Sequence, residues 1–242
     1  MNIVILAAGD FPTHPVPLKA LREADFVICC DSAYRTIKNE ELRIKNYVVI
    51  GDGDSLSEND KHNLGDRWIH VAEQDYNDLH KAMAWANEEL RMKNEESRDA
   101  SANSSFFTLH SSFKITILGA TGKREDHTLG NISYLVTFAE EYPGIDLEML
   151  TDHGRFCAIS PRSTQANIHS GSHTFKSFPR QQVSLFTPDP TTRLTSTGLR
   201  WPLQDMCPRL WWQATLNEAL ADSFSLTTTG WVILFQTYEP KS

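Results

Sequence analysis

Early in the chain three apolar runs, residues 2–8, 26–30 and 47–50, each run on into an aspartate: Asp10, Asp31 and Asp52. Short apolar runs closed by glycine, serine or aspartate predict buried strands that end in turns. Helical patterns at residues 17–24 and 33–41 lie between them, and strands alternating with helices indicate βαβ units and a parallel sheet. Ligands of an open α/β sheet bind just outside the carboxyl ends of its strands, so the three aspartates are expected along one crevice. Taken singly, each has a plainer account, because aspartate is a favoured helix N-cap. The third run is the sharpest: Tyr47-Val48-Val49-Ile50-Gly51-Asp52-Gly53-Asp54-Ser55 sets two carboxylates one residue apart on a glycine-containing turn. Such a pair can share one hard cation, since magnesium takes one or two carboxylates beside phosphate oxygens and water. The competing reading is a turn made of common turn formers.

A weaker strand at residues 68–72 leads to Gln74-Asp75-Tyr76-Asn77-Asp78. Asn77 is a suitable N-cap, and Leu79, Ala82, Met83, Ala86 and Leu90 form the apolar stripe of an amphipathic helix. Asp78 then reads as a first-turn acid that complements the helix dipole, with Lys81 on the same face. Residues 93–112 are rich in Asn, Glu, Ser and Arg and are expected to form a loop or insertion. A strand at 114–118 follows, then Gly119-Ala120-Thr121-Gly122-Lys123-Arg124-Glu125-Asp126-His127 and a helix with Leu129, Ile132, Val136 and Ala139 on one face. A glycine-rich strand-to-helix turn frees backbone N–H groups for an anion, and Lys123 and Arg124 add charge there. Neither GxxxxGK[ST] nor GxGxxG aligns with it.

Residues 146–151 make the last strand of this half. Beyond about Gly154 short alternating segments (183–186, 194–199, 224–228, 231–236) are separated by turns, without a long helical stripe. That pattern predicts a β-sandwich. The expected organisation is therefore an α/β domain with a mainly parallel, Rossmann-like sheet over 1–153, followed by an all-β sandwich domain over 154–242. Trp201, set among turn-like and charged residues, is expected to be partly exposed and able to stack on a ligand. The formal charge of −8 argues against nucleic acid or an anionic membrane as the main partner. Four cysteines without CxxC spacing suggest neither zinc nor a disulfide framework, and no apolar run reaches membrane-spanning length. The opening residues do not read as a secretory signal, so a cytoplasmic location is expected.

The motifs at 51–55, 74–78 and 119–127, with Thr197-Gly198-Leu199-Arg200-Trp201-Pro202-Leu203, resemble the thiamin pyrophosphokinase family in order and spacing. The resemblance implies transfer of pyrophosphate from ATP to the hydroxyl of thiamin, giving thiamin diphosphate and AMP. It also implies Mg2+ and a homodimer whose active sites are shared between subunits. It assigns the metal to Asp52, Asp54 and Asp78, with Arg124 and Asp126 completing the catalytic set. Asp31, Asp75, Lys81, Thr121, Gly122 and Arg124 are implied for the ATP phosphates, and Trp201 and Asn217 for thiamin. Asp78 or Asp126 is implied as acceptor of the thiamin hydroxyl proton. The chain departs from the family pattern at Asp31-Ser32-Ala33, where a glycine pair is usual, at Lys123, and at Leu216, where a serine is expected. Two other readings are a diphosphokinase for another hydroxymethyl heterocycle, such as a pterin, and a nucleotide- or thiamin-binding protein without turnover.

Overall fold

The computed structural model describes residues 1–39, 44–100, 113–161 and 172–241. Its elements begin with β1 (Asn2–Leu6), α1 (Pro15–Arg22), β2 (Phe26–Cys30), α2 (Tyr34–Asn39), β3 (Tyr47–Gly51), α3 (Glu58–Leu64), β4 (Trp68–His70), α4 (Asp78–Ala100), β5 (Phe113–Leu118) and α5 (Glu125–Glu141). The strands β6 (Ile145–Leu150), β7 (Gly154–Ile159), β8 (Ser172–Lys176), β9 (Gln181–Phe186), β10 (Leu194–Thr197), β11 (Asn217–Glu218), β12 (Ser223–Thr228) and β13 (Val232–Pro240) follow. The chain divides into two compact units: Met1–Tyr134 with Glu141–Leu147, and Leu135–Glu140 with Glu148–Ser242.

The first unit carries a parallel sheet in the order β5-β1-β2-β3-β4. The inner strands β1, β2, β3 and β5 are largely apolar because both faces are covered: Val4, Ile5, Val27, Ile28, Val49, Ile50, Ile115 and Ile117 are all buried. The strand order reverses between β1 and β5, the kind of switch point at which ligand crevices open in such sheets. Helix α4 starts as its sequence dictates. Asn77 accepts the His80 N–H on its side-chain oxygen at 3.1 Å, and Leu79, Ala82, Met83, Ala86 and Leu90 are buried against β1, β2 and β3.

Two expectations need correction. Helix α4 runs on past Lys93 to Ala100, where a loop was expected; Lys, Glu and Arg are good helix formers despite their polarity. The rest of that segment, 101–112, lies outside the described residues. On α5 the buried face is Asn131, Leu135 and Phe138, whereas Leu129 is exposed. The polar Asn131 disguised that stripe; it is buried because its amide donates to the Ala120 carbonyl at 2.8 Å. The expected last strand of this half is present as β6, next to β5 in the sheet order, and it also pairs antiparallel with β7, Met149 opposite Phe156.

The second unit is antiparallel. One set of strands runs β6-β7-β13-β9-β11, and a separate three-stranded sheet runs β8-β12-β10. Ile159, Val183, Leu185, Val232 and Leu234 of the first set share one core with Leu194, Phe224 and Leu226 of the second. This is the expected sandwich. No helix among the described residues is long and apolar enough to cross a membrane.

Candidate active site

Asp31 directly follows β2 and Asp52 directly follows β3. These strands are parallel neighbours, with Cys30 opposite Ile50, so the two carboxylates leave the sheet side by side. Gly53 then turns the chain with φ 79°, and a Cβ there would come within 2.7 Å of the Trp68 ring. The turn brings Asp54 round, and one oxygen from each of Asp31, Asp52 and Asp54 lies within 4.8 Å of the others. Neighbouring donors fix this arrangement. The Asp54 N–H donates to Asp52 Oδ1 at 3.1 Å and Gln74 Nε2 to Asp52 Oδ2 at 2.8 Å. Ser55 donates its N–H to Asp31 Oδ2 at 3.2 Å and its hydroxyl to Asp54 Oδ1 at 2.9 Å.

Asp31 is only 2% exposed, and its Oδ1 has no hydrogen-bond partner among the described residues. Burial pushes its carboxyl up to about 6; the Ser55 N–H opposes this, and the charges of Asp78 and Asp54 add to it. Asp52 is held below the usual carboxylate range by the Gln74 hydrogen bond and the Asp54 N–H. Asp78, in the first turn of α4, borders the same spot: a side chain at Gly51 would meet Asp31 Cβ at 2.8 Å and Asp78 Oδ1 at 3.3 Å. Burial raises the Asp78 carboxyl, and Lys81 counters it from 3.4 Å. The Lys81 side chain is itself 4% exposed, so its ammonium is engaged beneath Asp78 rather than presented to solvent. Asp75 stands exposed on the preceding loop, its N–H bonded to the Glu73 carboxylate. An unpartnered buried oxygen amid hard, oxygen-only donors fits magnesium, which prefers such ligands.

The glycine-rich turn lies at the same sheet edge, after β5. It is laced to the end of β1: Gly9 N–H donates to the Gly119 carbonyl at 2.6 Å, Asp10 N–H to the Thr121 carbonyl at 2.9 Å, and Lys123 Nζ to the Ala8 carbonyl at 2.7 Å. Asp10 therefore braces this turn, its carboxylate resting against Gly122, rather than joining Asp31 and Asp52. Thr121 is half-buried and Gly122 exposed. Arg124 and Asp126 form an exposed pair, and the Arg124 guanidinium holds the Asp126 carboxyl at about 2.

In the second unit Trp201 is 51% exposed. Its backbone is held at both ends by buried Asn217, which accepts the Trp201 N–H at 3.1 Å and donates to its carbonyl at 2.7 Å. The Arg200 guanidinium lies 5.2 Å from the Trp201 ring centroid and pairs with Glu218 at 2.7 Å. The result is a braced aromatic platform. Leu216 stands beside it in sequence, exposed and at φ 58°. Sequence reasoning assigned no role to Gln74 or Ser55, although both lie inside the motifs it used; neither carries a charge that would have drawn notice.

A parallel sheet with an acidic cluster and a glycine-rich turn on its carboxyl edge, followed by a β-sandwich, defines a class: two-part α/β proteins with the ligand crevice at the carboxyl ends of the strands. The family model described as "Thiamin pyrophosphokinase, catalytic domain" matches residues 18–147, and that described as "Thiamin pyrophosphokinase, substrate-binding domain" matches 167–235. The chain belongs to the thiamin pyrophosphokinase family. Among relatives, Thiamine pyrophosphokinase 3 of Oryza sativa subsp. japonica is 31% identical over 174 residues, 67% of this chain and 54% of that protein. Thiamine pyrophosphokinase 1 of the same organism is 29% identical over 175 residues, 68% and 55%. The chain thus spans about half the length of the curated relatives it matches. Thiamin pyrophosphokinase from Candida albicans shares the fold at TM-score 0.76 and 16% identity, over 98% of this chain and 89% of that one. The yeast thiamin pyrophosphokinase does so at 0.72 and 17%, over 98% and 86%.

Proposed function

We propose that the chain is a magnesium-dependent thiamin pyrophosphokinase that transfers pyrophosphate from ATP to the hydroxyl of thiamin, giving thiamin diphosphate and AMP. The observation that carries this reading is the convergence of one carboxylate oxygen from each of Asp31, Asp52 and Asp54, with Asp31 itself buried. Magnesium, when bound, supplies charge neutralisation on the ATP phosphates. Asp52 and Asp54 would hold it with Asp78, and Asp31 has the geometry to join them.

Pyrophosphoryl transfer asks the protein for positioning and electrostatics rather than covalent chemistry. Arg124, exposed beside the glycine-rich turn, is suited to meet phosphate oxygens along with Thr121 and Gly122. Asp75 is read as a further part of the phosphate-binding wall. Buried Lys81 acts on that site through Asp78. The thiamin hydroxyl attacks the β-phosphorus, the bond to the α-phosphate oxygen breaks, and AMP leaves. Its proton goes to a carboxylate. Asp126, held at about 2 by Arg124, is a poor acceptor, which favours Asp78, whose carboxyl burial raises.

Residues 1–153 are read as the ATP- and metal-binding domain and 154–242 as the thiamin-binding domain. Trp201 would stack on the cationic thiamin rings, with Asn217 holding it in place. A cytoplasmic homodimer with shared active sites completes the proposal; five exposed large apolar side chains between Leu210 and Leu220 support self-association.

The test is product analysis after mixing the protein with thiamin, ATP and Mg2+. Thiamin diphosphate and AMP in equal amounts, abolished by a chelator, is the expected result. ADP with thiamin monophosphate would break the assignment. Turnover only with a different hydroxymethyl heterocycle would shift it toward a sister diphosphokinase, a reading that exposed Leu216 favours. Binding of thiamin without turnover would leave a binding protein.

A further inference from the structure

Ser55 engages three neighbours at once. Its N–H holds Asp31 Oδ2 at 3.2 Å, its hydroxyl holds Asp54 Oδ1 at 2.9 Å, and its carbonyl accepts from the Arg35 guanidinium. Arg35 lies on α2, a few residues beyond Asp31, and Ser55 follows Asp54 directly. The two segments that carry the cluster are therefore tied in both directions. Ser55 reaches across to Asp31, and Arg35 reaches back to Ser55.

These ties work against a repulsion. An octahedral magnesium with Mg–O of about 2.0–2.1 Å needs ligand oxygens about 2.9 Å apart when adjacent and about 4.2 Å apart when opposite. One oxygen from each of Asp31, Asp52 and Asp54 stands within 4.8 Å of the others. Like charges at that range repel; the paired strands bring the two segments together, and hydrogen-bond donors set the carboxylates against that repulsion. Asp52 has its own donors in Gln74 and the Asp54 N–H. Ser55 bridges Asp31 and Asp54, its backbone N–H on the first and its hydroxyl on the second.

We infer that Ser55, steadied from the protein surface by Arg35, is the positioning residue that spaces Asp31 and Asp54 for a divalent cation. Neither Ser55 nor Arg35 would touch ATP or thiamin in this role. The inference rests on the metal reading proposed above, and deepens it. Hydrogen-bond partners of metal ligands commonly set affinity by about 10- to 100-fold.

The experiment is an electron paramagnetic resonance titration of Mn2+ into the full chain, without nucleotide or thiamin. Wild-type binding that Asp54→Asn abolishes identifies the site. Ser55→Ala, which keeps the N–H on Asp31 and removes the hydroxyl from Asp54, is then expected to raise the Mn2+ dissociation constant roughly 10-fold. Ser55→Thr, which keeps the hydroxyl, should restore it to within about 3-fold, and Arg35→Gln should lose about 3-fold, a fraction of that second-shell range. A merely structural serine would shift the thermal midpoint without moving Mn2+ affinity in the folded protein. Binding lost in Asp54→Asn but unchanged in Ser55→Ala overturns the inference and leaves the proposed function standing. Wild-type protein that takes up no Mn2+, or Asp54→Asn that binds as wild type, overturns both. If Ser55→Ala does not fold, folded Arg35→Gln with unchanged affinity overturns it.

Discussion

At Asn217 both ends of the carboxamide are committed to the backbone of Trp201, and its oxygen also accepts the Glu218 N–H at 2.9 Å. With so little capacity left for a ligand, it would, on the proposed reading, serve thiamin through the tryptophan it holds. Trp201→Ala should therefore raise the KM for thiamin by about 10-fold, in line with a cation–π contact of about 1–2 kcal/mol, and leave the KM for ATP unchanged. Asn217→Ala should raise the same KM less. It should also cost about 1–3 kcal/mol of stability, because buried backbone groups lose their partner. Equal effects of Asn217→Ala on both KM values would rule out this indirect role. Trp201 was legible in the sequence because a large aromatic flanked by turn residues has little core to enter. The bracing by Asn217 was not, since it depends on which backbone groups lie opposite a side chain sixteen residues away.

Among the elements, α4 was the most legible. Its cap and stripe are local, and the structure buries Met83 completely, as the stripe requires. Met83→Ala should cost about 2–5 kcal/mol, measured by urea unfolding. The α5 face and strands β7 and β8 escaped the reading because tertiary partners decided them, whereas the polar half of α4 escaped it because polarity was read as loop despite good helix propensity. Asn131 is buried by a backbone carbonyl, and β8 alternates polar and half-buried residues that carry no clear apolar pattern. Helix α3 was not anticipated, yet its setting yields a pH prediction. Asp60 accepts from Lys38 of α2 at 2.8 Å and from the Ser57 hydroxyl at 2.6 Å. The Lys38 bond, then Ser57, hold its carboxyl at about 2, below its ordinary value of 3.8. A depressed carboxyl stabilises above the unfolded value and loses that stability as pH falls through the folded one. Asp60→Asn should therefore lower the urea midpoint at pH 7, and the gap to wild type should close between about pH 4 and pH 2. A gap that stays constant across that range would show that the charge is not what the pair contributes.

For the whole molecule, the order of motifs predicted an α/β half followed by a sandwich, because each half has its own periodicity and needs no knowledge of the other. Association between copies has no such periodicity, and its trace is compositional. Leu210, Trp211, Trp212, Leu216 and Leu220 are each at least 50% exposed. Folded monomers seldom leave so many large apolar groups in water over so short a stretch. Tryptophan is also the residue type that most often anchors an interface. Trp211 is set edge-on to Phe186, with ring centroids 6.0 Å apart, so the segment is tethered to its own unit. Trp212, 70% exposed, contributes little to that unit's core. Trp212→Arg should thus leave the circular dichroism spectrum and unfolding midpoint nearly unchanged while moving the chain from dimer to monomer in sedimentation at micromolar concentration. If subunits share their active sites, turnover should fall with the dimer fraction and recover as protein concentration rises. A variant that sediments as the wild-type dimer would place the interface elsewhere, and a monomeric wild type with full turnover would end the shared-site proposal.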